Sequence, residues 1–126
     1  SLPTIKKALS WFRQNTYLSN KLSLKTGAIM KFIQIMEFTG GTEEALDSVN
    51  NYIAIAGAET KVKKATVCED RDNPGHLLQI IEFDSYEDAM INNDLEVTKT
   101  ASEEDTSNFG EVQFKNLNVV QTFDLQ

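Results

Sequence analysis

Two stretches of this chain carry the same order of apolar and polar positions. Phe32-Ile33-Gln34-Ile35-Met36-Glu37-Phe38 and Leu77-Leu78-Gln79-Ile80-Ile81-Glu82-Phe83 agree position by position: two apolar residues, Gln, two apolar, Glu, Phe. Runs this short and apolar at both parities predict strands that are covered on both faces. Each is followed by a polar loop and a helix start, Gly40-Gly41-Thr42-Glu43-Glu44-Ala45 in one copy and Asp84-Ser85-Tyr86-Glu87-Asp88-Ala89 in the other. Thr42 and Ser85 are the candidate caps, and the acids behind them suit the positive end of a helix dipole. Leu46, Val49, Ile53 and Ala56 then fall on one helical face, and Gly57 stands where a left-handed terminal residue is wanted. Lys61 to Arg71 reads as a strand, and Asp72-Asn73-Pro74-Gly75 places Pro and Gly at the centre of a type II turn, which predicts a hairpin into the second copy. After Ser85 the helix carries Ala89 and Met90, loosens near Asn92-Asn93-Asp94 and resumes through Val97 and Ala101 before the polar stretch Glu103 to Asn108. A last strand is expected from Val112 to about Phe123.

A duplicated strand-helix-strand unit of this kind predicts an α+β, ferredoxin-like βαββαβ sandwich, with the two matching strands side by side at the sheet centre and two helices on one face. Phe32, Met36 and Phe38 share one parity, Ile33 and Ile35 the other, so both sheet faces are apolar. The economical cover for the second face is another copy of the chain, a two-fold homodimer. Ahead of the domain, Ile5, Ala8, Leu9 and Phe12 follow helical spacing from Pro3 to about Asn15, with Trp11 beside the stripe. The expected division is a basic amphipathic helical extension over residues 1–29 and the domain over residues 30–126, with Met30 a candidate natural start.

Composition narrows the classes further. Of 126 residues, 40% are hydrophobic and 25% charged, the profile of one ordinary globular domain, which excludes collagen, disorder and disulfide scaffolds. No apolar run approaches the roughly 20 residues of a membrane helix. The one cysteine, Cys68, has no internal partner and reads as a buried strand residue, so a reducing, cytoplasmic location is expected. With no CxxC, no HExxH and one histidine, no metal site is expected. The net charge of −7 divides sharply: residues 1–36 hold six cations and no acid, +6, and the remainder holds six cations against nineteen acids, −13. An acidic body of this kind argues against a nucleic-acid partner. The basic end reads as an amphipathic helix on apolar surface of its own or a partner subunit, or as a membrane-surface or targeting segment.

From Met30 to about Gln121 the chain resembles the dimeric α/β-barrel superfamily, and within it the antibiotic-biosynthesis monooxygenase and stress-responsive barrel families. The resemblance rests on the first strand, on Asp70-Arg71-Asp72-Asn73-Pro74-Gly75-His76, on Phe83-Asp84-Ser85-Tyr86-Glu87-Asp88-Ala89-Met90, and on Phe114-Lys115-Asn116-Leu117-Asn118-Val119-Val120. It implies a ferredoxin-like fold pairing into a dimeric barrel. It also implies one of two functions: a cofactor-independent monooxygenase acting on a small aromatic or quinol-type metabolite, or a non-catalytic dimeric ligand-binding or protein-interaction module. Oxygenases of this fold, as the resemblance implies, hold an electron-rich phenol or quinol in a pocket of each subunit and deprotonate it with polar side chains for attack by oxygen.

The candidate residues follow from that need. Histidine is the side-chain type with an unperturbed pKa near neutrality, which makes His76 the candidate base, although a histidine after a turn is commonly exposed or capping. Gln34 and Gln79 are amides centred in apolar strands, so they bond to each other or to backbone across the sheet, or they orient a ligand. Tyr52, Tyr86, Asn92 and Asn93 are the further polar and aromatic groups that the helices offer to a pocket, unless helix packing and helix interruption use them. Glu37 and Glu82 lie on the opposite parity from the glutamines and read as solvated strand ends, ion-pair partners of the basic extension, or buried carboxylates able to act as bases. Glu69 to Asp72 reads as a solvated hairpin tip. No cofactor is expected, since His76 is the sole candidate haem ligand.

Overall fold

The computed structural model describes residues 30–126. The expected helix from Pro3 to Asn15 lies outside the described residues. The elements are β1 (Phe32–Thr39), α1 (Thr42–Ala56), a 3-10 turn (Gly57–Glu59), β2 (Lys64–Glu69), β3 (His76–Phe83), α2 (Tyr86–Asn93), α3 (Glu96–Phe109) and β4 (Gln113–Asn118). They form a ferredoxin-like α+β layer pair, with an antiparallel sheet of order β2-β3-β1-β4. The two matching strands occupy the centre. Ile35 faces Ile80 across the ladder, and Gln34 and Gln79 flank that pair, opposite Ile81 and Met36 respectively.

Strand parity then sorts every side chain. Phe32, Gln34, Met36 and Phe38 of β1, with Leu77, Gln79, Ile81 and Phe83 of β3, point toward the helices, and Ile33, Ile35, Glu37, His76, Leu78, Ile80 and Glu82 populate the open face. The core beneath the helices is split in two. At one end Phe32, Phe83, Tyr86 and Ala89 pack together, with the Phe32 and Tyr86 rings edge to face at 5.2 Å. At the other end Phe38, Ala45, Leu77 and Val112 form the second cluster, onto which Phe109 of α3 lays its ring 4.7 Å from Phe38. Gly40 makes that approach possible, because a Cβ there would lie 2.6 Å from the Phe109 ring.

Local chemistry accounts for the element boundaries. Ser85 caps α2 and accepts from the Asp88 amide at 3.0 Å, which contributes about 1 kcal/mol. Thr42 does not cap α1: it is the first helical residue, and Gly41 stands at the cap with no side-chain bond. Gly57 has φ 53° as the end of α1 requires. Pro74 and Gly75 make the expected turn, with Gly75 at φ 89° and the His76 amide donating to the Asn73 carbonyl at 3.0 Å. The acids of the hairpin tip stabilise that turn: Glu69 accepts from the Gly75 amide and Asp70 from the Asp72 amide.

Three boundaries differ from expectation. β2 is shorter than Lys61–Arg71, since its ladder with β3 begins at Lys64 and the Asp70–Pro74 segment is consumed by the turn. The polar stretch Glu103–Asn108 is helical as part of α3, its charges lying on the solvent side while Asp105 and Phe109 face inward. β4 ends at Asn118 because its partner β1 begins at Phe32; one further bond, from the Val119 amide to the Lys31 carbonyl, closes the ladder. Cys68 is half-buried rather than buried, since it lies on the open face of β2.

Candidate functional site

Between the two core clusters the sheet and helices border a partly open cavity of about 350 Å³. Its floor is the middle of the sheet, where Gln34 and Gln79 take the places that large apolar side chains would fill. Its roof joins the apolar Val49 and Ile53 of α1 to small or polar side chains: Ser48 and Tyr52 from α1, Asn92 and Asn93 from the end of α2, and Thr98, Ala101, Ser102 and Asp105 from α3. The α3 residues recur at three and four, so one helical face is devoted to the cavity. Met36, Ile81, Phe83 and Phe114 supply the apolar walls.

The polar groups divide into those satisfied within the protein and those left open. Tyr52 and Asn92 belong to a network that ties three segments together. The Tyr52 hydroxyl lies 3.0 Å from the hydroxyls of both Thr60 and Thr98, and Asn92 Oδ1 accepts from Thr60 Oγ1 at 3.0 Å and from the Lys61 amide at 2.9 Å. Gln34 Nε2 donates to Asn116 Oδ1 at 3.0 Å, a bond across to the edge strand. Gln79 is 5% exposed, yet its Nε2 has no hydrogen-bond partner among the described residues; the same holds for Asn93 Nδ2. Both line the cavity. Buried amide donors without acceptors are uncommon and costly, which makes these two atoms the most informative in the site.

Asp105 is a member of the site that the sequence pattern did not single out. It is 8% exposed, accepts a hydrogen bond on Oδ1 from the Ser48 hydroxyl, and has its pKa raised, chiefly by desolvation and further by Glu104, against the opposing effect of Ser48. The signal lay in the spacing of Thr98, Ala101, Ser102 and Asp105, which a reading of residues 103–108 as loop conceals. Because the folded state holds this proton to higher pH than the unfolded chain does, stability falls as pH rises through the interval above the ordinary value of 3.8. Asp105→Asn, which cannot ionise, is expected to lack that decline. In thermal unfolding from pH 4 to 7 the variant should gain on the native protein as pH rises, and parallel curves would contradict the assignment.

The structure brings Gln34, Gln79, Tyr52, Asn92 and Asn93 to one cavity and places the other two expected residues elsewhere. His76 stands on the open sheet face, with Nε2 3.9 Å from Glu37, which also meets Lys115 Nζ at 3.0 Å. Tyr86 packs in the Phe32 cluster. Glu37 and Glu82 share the open face, and the partner of Glu37 is Lys115 on β4. Among the described residues no cluster of three or more His, Cys, Asp or Glu is arranged to hold a metal ion, and no helix is long and apolar enough to cross a membrane.

No family model and no curated protein matches the sequence. Solved structures match its architecture. A proposed antibiotic biosynthesis monooxygenase from Deinococcus radiodurans superposes with a TM-score of 0.58 at 16% identity, over 75% of this chain and 98% of the other. SnoaB, a cofactor-independent oxygenase from Streptomyces nogalater, gives 0.62 at 12% identity over 74% and 96%. The chain shares the ferredoxin-like α+β fold of these proteins. Rv0793 from Mycobacterium tuberculosis superposes with a TM-score of 0.61 at 12% identity, over 75% of this chain and 99% of the other. At these identities the likeness is one of fold.

Proposed function

We propose that the cavity binds a small aromatic or quinol-type metabolite and that the chain acts on it as a cofactor-independent, monooxygenase-like enzyme. The observation that carries this reading is the Gln79 amide: it is buried, borders the cavity and lacks an acceptor among the described residues, and a ligand oxygen would supply one. Asn93 offers a second donor, and the Phe83 and Phe114 walls suit a flat ring. The reaction class is supported by analogy with SnoaB, a cofactor-independent oxygenase of this fold.

A second reading, a non-catalytic binding module, is favoured by the internal partners that Gln34, Tyr52 and Asn92 already have. Turnover separates the two. In a thermal-shift screen of hydroxylated aromatics, quinols and apolar controls, a ligand at 100 times its dissociation constant should stabilise the protein by about 2.7 kcal/mol. Oxygen consumption by the stabilised complex would support the enzyme, and stabilisation without turnover the binding module. No stabilisation across the panel would overturn both.

The homodimer belongs to the same proposal. Ile33, Ile35, Leu78 and Ile80 form an apolar stripe at the centre of the open face, flanked by Leu117, which is 41% exposed. A second copy laid on this stripe would bury it against its own equivalent. Light scattering should give twice the chain mass at micromolar concentration, and Ile35→Lys should shift it toward one chain mass. A native protein that scatters as a monomer would contradict the dimer.

A further inference from the structure

The cavity has amide donors without acceptors among the described residues, and the side chains expected to act as a base, His76, Glu37 and Glu82, lie on the other side of the sheet. Asp105 supplies what is missing. It enters the cavity from α3 opposite the glutamine floor, and it is buried. Among the described residues it receives a single hydrogen bond, from Ser48 to Oδ1, leaving Oδ2 for a ligand. Ser48 comes from α1, so the two helices together fix where the carboxylate stands. The other ionisable side chains that line the cavity are Tyr52, held in the threonine and asparagine network, and Lys63 and Lys64 of the β2 segment. Lys63 also pairs at the surface with Asp84. Of these groups, Asp105 is the one that combines burial, a fixed orientation and a free acceptor.

A carboxylate in the roof of the cavity and the Gln79 amide donor in its floor select a particular ligand chemistry. The complementary molecule carries a hydroxyl at one end and a carbonyl at the other, joined by an apolar ring. We propose that Asp105 is the proton acceptor of this cavity, taking the phenolic proton of a hydroxyaryl ketone or hydroxyquinone whose carbonyl oxygen accepts from Gln79. In this step the phenolic O–H bond breaks and its electron pair remains on the ligand. The proton forms the O–H of the Asp105 carboxylic acid. The charge that develops spreads through the ring to the carbonyl oxygen, where the Gln79 amide receives it. An ordinary carboxylate is about six pKa units weaker as a base than a phenolate. Burial narrows that gap, as the upward shift at Asp105 indicates, and conjugation with the carbonyl lowers the phenol from its side. The proposal rests on the cavity being a ligand site, as argued under the proposed function.

The test uses the full chain with a matched pair, 6-hydroxy-1-tetralone and its 6-methoxy counterpart, which have the same ring and carbonyl and differ in the ionisable proton. The hydroxy compound should bind roughly tenfold or more tightly than the ether, the ratio a charge-assisted hydrogen bond gives. Its bound spectrum should contain the phenolate band at a pH where the free compound is neutral. Asp105→Asn, which can still accept from Ser48, should abolish the phenolate band and bring the two affinities to within about threefold. Gln79→Leu should weaken both compounds alike. A phenolate band that survives in Asp105→Asn, or native protein that binds the pair equally, overturns the role of Asp105 and leaves the cavity reading standing. Binding of neither compound overturns the cavity reading and the proposal together. Should Asp105→Asn fail to fold, the spectrum and the affinity ratio of the native protein still decide the matter.

Discussion

Phe32→Ala should cost about 3–5 kcal/mol of folding stability, the largest single effect expected in the domain. The side chain is 1% exposed and its ring meets those of Phe83 and Tyr86 at 6.3 and 5.2 Å. These three rings form one of only two packed clusters beneath the described helices, because the space between the clusters is hollow. A domain whose core is divided in this way has little means of refilling a vacancy at either end. Against a typical margin of about 5–15 kcal/mol, the loss leaves much of the variant unfolded under mild conditions. Urea unfolding measures it directly, and a loss below about 1 kcal/mol would show that the Phe32 cluster is not the anchor described here.

Gln79→Leu is expected to move stability and function in opposite directions. Leucine keeps a similar volume at the floor of the cavity and removes a buried amide donor whose unmet hydrogen bond costs about 1–3 kcal/mol. The variant should therefore be more stable than the native protein by an amount of that order in the absence of ligand. It should also lose the recognition of a ligand carbonyl, with affinity falling roughly tenfold or more. This opposition is the mark of a residue retained for a site at the expense of the fold. Gln34→Leu serves as the contrast, since it strands the Asn116 side chain that now accepts from Gln34 Nε2, and it should destabilise. A destabilised Gln79→Leu with unchanged ligand affinity would mean that the Gln79 amide is a packing element.

The contrast between the two glutamines also shows how far a sequence carries such an argument. The repeated strand pattern contains enough information to pair β1 with β3, to put both glutamines on one face and both glutamates on the other, and to call for the Pro74-Gly75 turn. These features depend on period-two alternation and local turn chemistry, which are properties of neighbours in the chain. What separates Gln34 from Gln79 is a neighbour in space, Asn116 on β4, and no local pattern contains it. His76 makes the same point: a titratable side chain beside a turn reads as a candidate base, and only the register shows that it stands on the open face near Glu37 and Lys115. Asp105 was concealed in another way, because a polar run of residues looks like a loop unless one of its acids is recognised as the inward position of a helix.

The central claim, that the cavity above Gln79 is a ligand site completed by an oxygen acceptor, is open to one direct measurement. The side-chain amide resonances of isotopically labelled protein can be followed while a stabilising hydroxyaryl ketone is added. The signals of Gln79 and Asn93 should shift and become protected from hydrogen exchange, while those of Gln113 and Gln121, outside the cavity, should stay in place. Shifts confined to the open sheet face around Ile35 and His76, with the Gln79 amide unchanged, would contradict the account.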